Sequence, residues 1–199
     1  MCIRDSVKGR AVENGRRPED ILILPGCNPI VGSTPEDAEA KYQQIANLVV
    51  IDDALNYLGR YFNDIDFTQY DLDERFPDLG DFARNGWESA TDRIKKVSRD
   101  EGLTQRQMAL RSTTPKSPFI GTPEQVADAM QAWFEAGAAD GFMMNASVLP
   151  QGFNDFVHLV LPILKDRGLF RTEYEHDTLR GNLGLAKPEN RYANKTGVR

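Results

Sequence analysis

The chain has 199 residues and a formal charge of -6, with 24 basic against 30 acidic side chains, two cysteines and two histidines. That length is enough to bury one domain core, while an acidic balance with no basic cluster among aromatics speaks against nucleic acid as a partner. No apolar run reaches the roughly 18 to 20 residues of a membrane span, and Cys2, Cys27, His158 and His176 show no metal-like or nucleophile–base spacing.

The opening MCIRDSVKGR lacks the apolar core of a secretory signal, so a reducing, cytoplasmic setting is expected. Its first six residues resemble a translated adaptor sequence, and 1–6 are expected to be a non-native start. Residues 7–15 read as the end of a helix closed by Asn14-Gly15. Ile21-Leu22-Ile23-Leu24 is a continuous apolar run of the kind found in parallel strands covered on both faces. Pro25 and Pro29 punctuate the next stretch, and Ile30-Val31 ends at Gly32.

Thr34-Pro35-Glu36-Asp37 then supplies a helix start: Thr34 as cap, Pro35 at the first helical position and Asp37 as the acidic capping-box partner. Ala38, Tyr42, Ile45, Ala46 and Val49 form the apolar stripe of that helix. The same design returns at Phe119–Asn145. Phe119-Ile120 reads as a short strand, Thr122-Pro123-Glu124-Gln125 as a capped helix start, and Val126, Met130 and Trp133 as a stripe with Ala127 and Phe134 beside it. Gly137 is the left-handed stop, and Gly141-Phe142-Met143-Met144 the next strand. Two βα units of one design with a further strand after them imply an α/β barrel or a doubly wound sheet.

About 60 residues separate the two units. Asp64, Asp66, Asp71, Asp73, Glu74 and Asp78 lie among Phe62, Phe67, Tyr70 and Phe76 and read as an irregular excursion, with a helix over Trp87–Glu101 and a capping box at Thr104–Gln107. A connection this long is expected to be functional, often a lid; solvated loop surface is the alternative for the acids, and self-packing for the aromatics. After the second unit, a helix is expected with Phe153, Phe156, Val157, Val160, Leu161 and Leu164 inward, kinked or split by Pro162. Leu169–Glu175 is expected to wrap back so that Phe170 and Tyr174 gain cover, and 186–199 to be a flexible tail.

GTPEQVADAMQAWFEAGAADGF, LPQGFNDFVHLVLPILKDRGLFRTEYEHDTLRGNLGL and the earlier NGRRPEDILILPGCNPIVGSTPEDAEAKY closely resemble the end of bacterial luciferase-like flavin-dependent monooxygenases. The nearest branch is that of the nitrilotriacetate, EDTA and dibenzothiophene-sulfone monooxygenases, with long-chain alkane monooxygenase as a relative. The resemblance covers residues 7–185 and implies the C-terminal part of a (β/α)8 TIM barrel. Strands six, seven and eight would be Ile21–Val31, Phe119-Ile120 and Gly141–Met144, with 57–117 inserted between strands six and seven, partly over the active-site mouth. It also implies reduced FMN delivered by an NADH-dependent flavin reductase, dioxygen as co-substrate, oxygenation of a small organic substrate through a flavin C4a-(hydro)peroxide, and a homo-oligomer at full length. The family's flavin-phosphate turn and its other flavin contacts would precede Val7, so this chain alone is expected to be inactive. A deazaflavin-dependent oxidoreductase of the same superfamily and a non-catalytic assembly domain are the alternatives.

Barrel chemistry sits at strand C-termini. Met143 and Met144 there offer a soft apolar wall for a ring edge or an apolar substrate, and Asn145 a carboxamide that donates and accepts. The competing reading has the methionines packing the interior and Asn145 capping a turn. Asn28, near the end of strand six, is the fourth pocket candidate; Cys27 beside it reads as a small buried hydrophobe. His158, on an outer helix, and His176, in the tail, carry no expected role.

Overall fold

The computed structural model describes residues 3–80 and 88–190. Helix α1 spans Ile3–Glu13 and ends with Gly15 in the left-handed region, φ 73°. It takes in Ile3–Ser6, expected to lie outside the native chain. Arg4 and Lys8 both reach the Asp140 carboxylate, at 3.0 and 2.8 Å.

The segment read as one strand, Ile21–Val31, is two short ones, β1 (Gly26–Cys27) and β2 (Ile30–Val31). Pro25 and Pro29 have no amide hydrogen to offer a ladder, which cuts the regular pairing to pieces. Carbonyls of Ile23, Pro25 and Cys27 still accept from the amides of Asp140, Met143 and Asn145, at 3.0, 2.9 and 2.8 Å, so the apolar run stays extended. β1 pairs in parallel with β4 (Met143–Met144), and β2 with β3 (Ile120–Gly121). Three consecutive barrel strands would leave the middle one between its neighbours in sequence order. Here the first segment holds β4 with its first half and β3 with its second.

Both helix starts form as the residues dictate. α2 (Pro35–Ala46) opens with Thr34 accepting from the Asp37 amide, but the Asp37 carboxylate reaches one residue further than a capping box, to the amide and hydroxyl of Ser33. α6 (Pro123–Glu135) has the full reciprocal box between Thr122 and Gln125. Val31, Phe119, Val126, Ala127, Met130, Phe156, Val160 and Leu164 pack with Cys27 into a core between strands and helices. Trp133 ends the α6 stripe at its rim, 38% exposed with its ring on Phe119 and Phe142.

The long connection is a unit with a core of its own: helices flank the stretch 61–80, which is irregular as expected apart from one 3-10 turn. α3 (Ile51–Arg60) opens it, a start marked by Asp52 and Asp53 in its first turn but by no capping residue, since its N-cap, Val50, provides no side-chain acceptor. α4 (Glu88–Glu101) and α5 (Gln105–Thr113) come next; Trp87, expected at the start of α4, lies outside the described residues. Leu58, Phe62, Phe67, Phe76, Ile94 and Met108 are buried together, so the aromatics pack on one another. Gln105, fully buried, donates to the Phe67 carbonyl and pins the 3-10 turn Phe67–Gln69. The acids build turns: Asp66, Asp71 and Asp78 accept from backbone amides two residues on, and Asp73 grips Arg106. The unit leaves from the C-terminal end of α2 and rejoins ahead of β3.

Pro162 splits the last long helix into α7 (Gln151–Asp155) and α8 (Leu161–Asp166), joined by a π turn over Phe156–Val160. The Leu161 amide bonds back to Phe156, and this widening accommodates the ring that a tight turn would reject. Phe156, Val160 and Leu164 point inward as expected, whereas Phe153 is exposed. The tail departs from expectation as well: Phe170 is 44% and Tyr174 81% exposed. Side-chain hydrogen bonds organise it instead of apolar cover. Asn182, at the end of α9 (Leu179–Asn182), accepts from the amides of Glu175 and His176 and donates to the carbonyls of His176 and Thr178. Residues 191–199, most of the tail expected to be flexible, lie outside the described residues.

Candidate functional site

The parallel register of β1 with β4 matches Gly26 to Met143 and Cys27 to Met144. Side chains alternate along a strand, so this register sorts the candidates into two faces. Cys27 and Met144 turn into the core. Gly26, Asn28, Met143 and Asn145 are exposed, and Met143 keeps 59% of its surface. Three of the four predicted residues, Asn28, Met143 and Asn145, thus come together on one open face. Met144 goes with the other: the two methionines are not a joint wall, because neighbours in a strand face opposite ways.

Backbone bonds hold the face. The Asn145 amide donates to the Cys27 carbonyl, and the Ser117 hydroxyl donates to the Asn28 carbonyl at 3.3 Å. The Asn145 side-chain nitrogen lies where it would be 3.1 Å from a Cβ on Gly26, so glycine leaves a flat strand surface under that carboxamide. The result is a shallow platform with a thioether on one side and two carboxamides on the other. It can lie against a planar ring or an apolar chain and offer its edge both donors and acceptors. Burial pushes the Cys27 thiol up to about 11, which leaves no thiolate near neutrality, and Cys27 packs as the small hydrophobe expected of it.

Beside β2 is a cleft of about 230 Å³ between α2 and α7 with the loop that leads into it. Lys41 sits in its wall, donating to the Val31 carbonyl at 2.8 Å, with the carboxylates of Asp37 and Asp155 at 3.6 and 3.9 Å. This ammonium ties β2, α2 and α7 together. Among the described residues no three His, Cys, Asp or Glu side chains gather into a metal-binding group, and no helix is long and apolar enough to cross a membrane.

The pattern of the luciferase-like monooxygenases matches residues 3–140. The chain belongs to that family. It is 41% identical over 190 residues to N-acetyl-S-(2-succino)cysteine monooxygenase of Bacillus subtilis (strain 168), which covers 94% of this chain and 43% of that protein. Against nitrilotriacetate monooxygenase component A of Aminobacter aminovorans the identity is 41% over 189 residues, covering 94% of this chain and 42% of the relative. The solved EDTA monooxygenase (EmoA) from Chelativorans sp. BNC1 superimposes with a TM-score of 0.62 at 31% identity, over 92% of this chain and 43% of that one. The chain therefore spans less than half the length of these relatives.

Within this chain of the luciferase-like monooxygenase family, three parts of the site were missed by sequence reasoning. Gly26 could have been found from the alternation that places it on the face of Asn28. Lys41 could have been found from its position one helical turn after Asp37, which aims it back at the strand end. Ser117 carried no signal, since nothing local marks it as a partner of Asn28, 89 residues away.

Proposed function

We propose that this chain supplies closing βα units of a (β/α)8 monooxygenase barrel. That barrel would use reduced FMN from a separate NADH-dependent flavin reductase, together with dioxygen, to oxygenate a small organic molecule. The observation that carries this reading is the open face of Gly26, Asn28, Met143 and Asn145, in a chain whose family and branch are those of flavin-type oxygenases. A barrel turns one strand face to its lumen and the other to its helices; here the helix-side face is packed and the opposite one bears the carboxamides.

The residues present fit part of the cofactor. The flat strip over Gly26 accepts a ring face, and the Asn145 carboxamide can bond a ring edge or a substrate polar group. The flavin-phosphate turn of the family would precede Val7. Bound reduced FMN supplies the oxygen activation. The work of this chain is to orient, through Asn28 and Asn145, and to exclude water, through Met143 and the packed layer behind it.

Titrating the 199-residue chain with FMN, monitored by flavin fluorescence, is expected to give no saturable binding up to tens of micromolar. Fusing residues 7–190 behind the preceding barrel half of nitrilotriacetate monooxygenase component A should restore FMN binding and, with NADH, dioxygen and a flavin reductase, consumption of nitrilotriacetate above that of the reductase alone. Asn145→Ala in that fusion should lower this consumption at least tenfold. Tight flavin binding by the chain alone, or a fusion that folds but neither binds flavin nor is affected by Asn145→Ala, overturns the proposal.

A further inference from the structure

The helical unit holds a cleft of about 240 Å³ where α4 and α5 meet the segment leading to β3. Its charged lining residues, among those described, are all cations: Arg93, Arg111 and Lys116. This reverses the sign of a chain whose formal charge is -6. Ile94, Val97 and Met108 contribute an apolar wall. Two of the cations are held from outside. Glu101 takes both terminal nitrogens of Arg111, at 2.9 and 3.0 Å, and Glu39 of α2 takes Lys116 at 2.7 Å. Arg93 has no carboxylate at ion-pair distance among the described residues. Ser112 donates its hydroxyl hydrogen to the Ala109 carbonyl at 2.7 Å, so its oxygen can still accept.

We propose that this cleft binds a small organic anion, an aryl or branched-alkyl carboxylate or sulfonate. Its charged head lies against Arg93, Arg111 and Lys116, and its apolar body against Ile94, Val97 and Met108. Among the described residues Arg93 keeps its fork free to provide paired donors to a planar or tetrahedral oxyanion, and Arg111, whose terminal nitrogens hold Glu101, adds its remaining N–H groups and its charge. The outer carboxylates fix Arg111 and Lys116 before any ligand arrives, which reduces the ordering cost of binding. The cleft is too small for a dinucleotide and lies apart from the Gly26–Asn145 face. Lys116 also links the unit to α2 through Glu39, so an occupant would brace the helical unit against the rest of the chain.

Calorimetric titration of the 199-residue chain with benzenesulfonate, neutral benzamide and inorganic sulfate tests this. Saturable one-to-one binding of benzenesulfonate is expected, with benzamide and sulfate each at least tenfold weaker. Arg93→Gln, which breaks no ion pair among the described residues, should weaken benzenesulfonate about tenfold while leaving the unfolding midpoint unchanged. Ser112→Glu, which places a carboxylate in the cleft, should abolish binding. Absence of saturable binding overturns the proposal, as does equal affinity for benzamide or an Arg93→Gln variant that binds like the parent. Sulfate bound as tightly as benzenesulfonate refutes the role of the apolar wall.

Discussion

Gly32 follows β2 with Ser33 between it and the Thr34 cap, Gly121 ends β3 directly before the Thr122 cap, and the structure gives these two glycines unequal roles. A Cβ on Gly32 would run into the backbone of Ala38, including its Cα at 2.7 Å. On Gly121 it would meet the Gln125 side-chain oxygen at 2.6 Å. Backbone in the first turn of a helix cannot move aside, whereas a glutamine can swing out and forfeit its half of the capping box. Gly32→Ala is therefore expected to cost about 3 kcal/mol or more, and Gly121→Ala about 1 kcal/mol. In urea titrations Thr122→Ala, which removes the other hydrogen bond of the box, should cost about as much as Gly121→Ala, and the double variant should approach the sum of the two. The repeated motif was legible in the residues; the inequality was not, since identical letters carry no record of what packs above them. The methionine pair shows the complementary case. Strand alternation alone separates Met143, exposed, from Met144, turned into the core.

Whole elements are joined by contacts that local pattern does not encode. Asp140 accepts from Lys8 and Arg4 on α1 and from the amide of Ile23, whose chain leads into β1. Burial pushes its carboxyl up, but hydrogen bonds from Lys8, the Ile23 amide and Arg4 outweigh burial and hold it below the ordinary carboxylate range. A carboxyl lowered on folding stabilises the fold fully above its unfolded value, about 3.9. That stability is lost as pH falls through the lower folded value, so α1 should loosen from the strands in acid before the helices themselves melt. Asp140→Asn is expected to cost about 1–3 kcal/mol at neutral pH and to flatten the acid limb of the stability curve, read as urea midpoint against pH from 6 down to 3. An acid limb unchanged in the variant would mean that α1 docks by other means. The sequence around Asp140, Gly-Ala-Ala-Asp-Gly, reads as a turn, and a partner 132 residues away leaves no trace in it. Pro162 was more informative: its effect on the last helix was legible, and only the π turn that absorbs it was not.

At the scale of the molecule the α/β class was readable from two strand-to-helix units with capped starts, while the order of the strands was not. Capping and apolar period fix what each segment becomes, not which neighbour it selects, and Pro25 and Pro29 let one segment serve two neighbours. The division into two cores was hidden for a related reason. Phe62, Phe67 and Phe76 sit among acids that give the stretch the composition of a loop, although Phe62 and Phe67 are buried to 0% and 1% exposure. Their rings form one cluster, with centroids 5.5 Å apart for Phe62 and Phe67 and 5.6 Å for Phe67 and Phe76, and none of them belongs to the Val126–Phe156–Leu164 core. Separate cores joined by short connections can open independently. Phe67→Ala should thus cost about 3–5 kcal/mol within the helical unit and raise hydrogen exchange across 51–80 and 88–113. The amides of Ile30, Gly32 and Asn145, bonded to the Phe119, Gly121 and Cys27 carbonyls, should keep their protection. Parallel loss of protection in both regions would instead mean that the contacts of α2 with α5 and β3, including the Tyr42 hydroxyl on the Thr114 carbonyl at 2.8 Å, fuse the two cores into one cooperative unit.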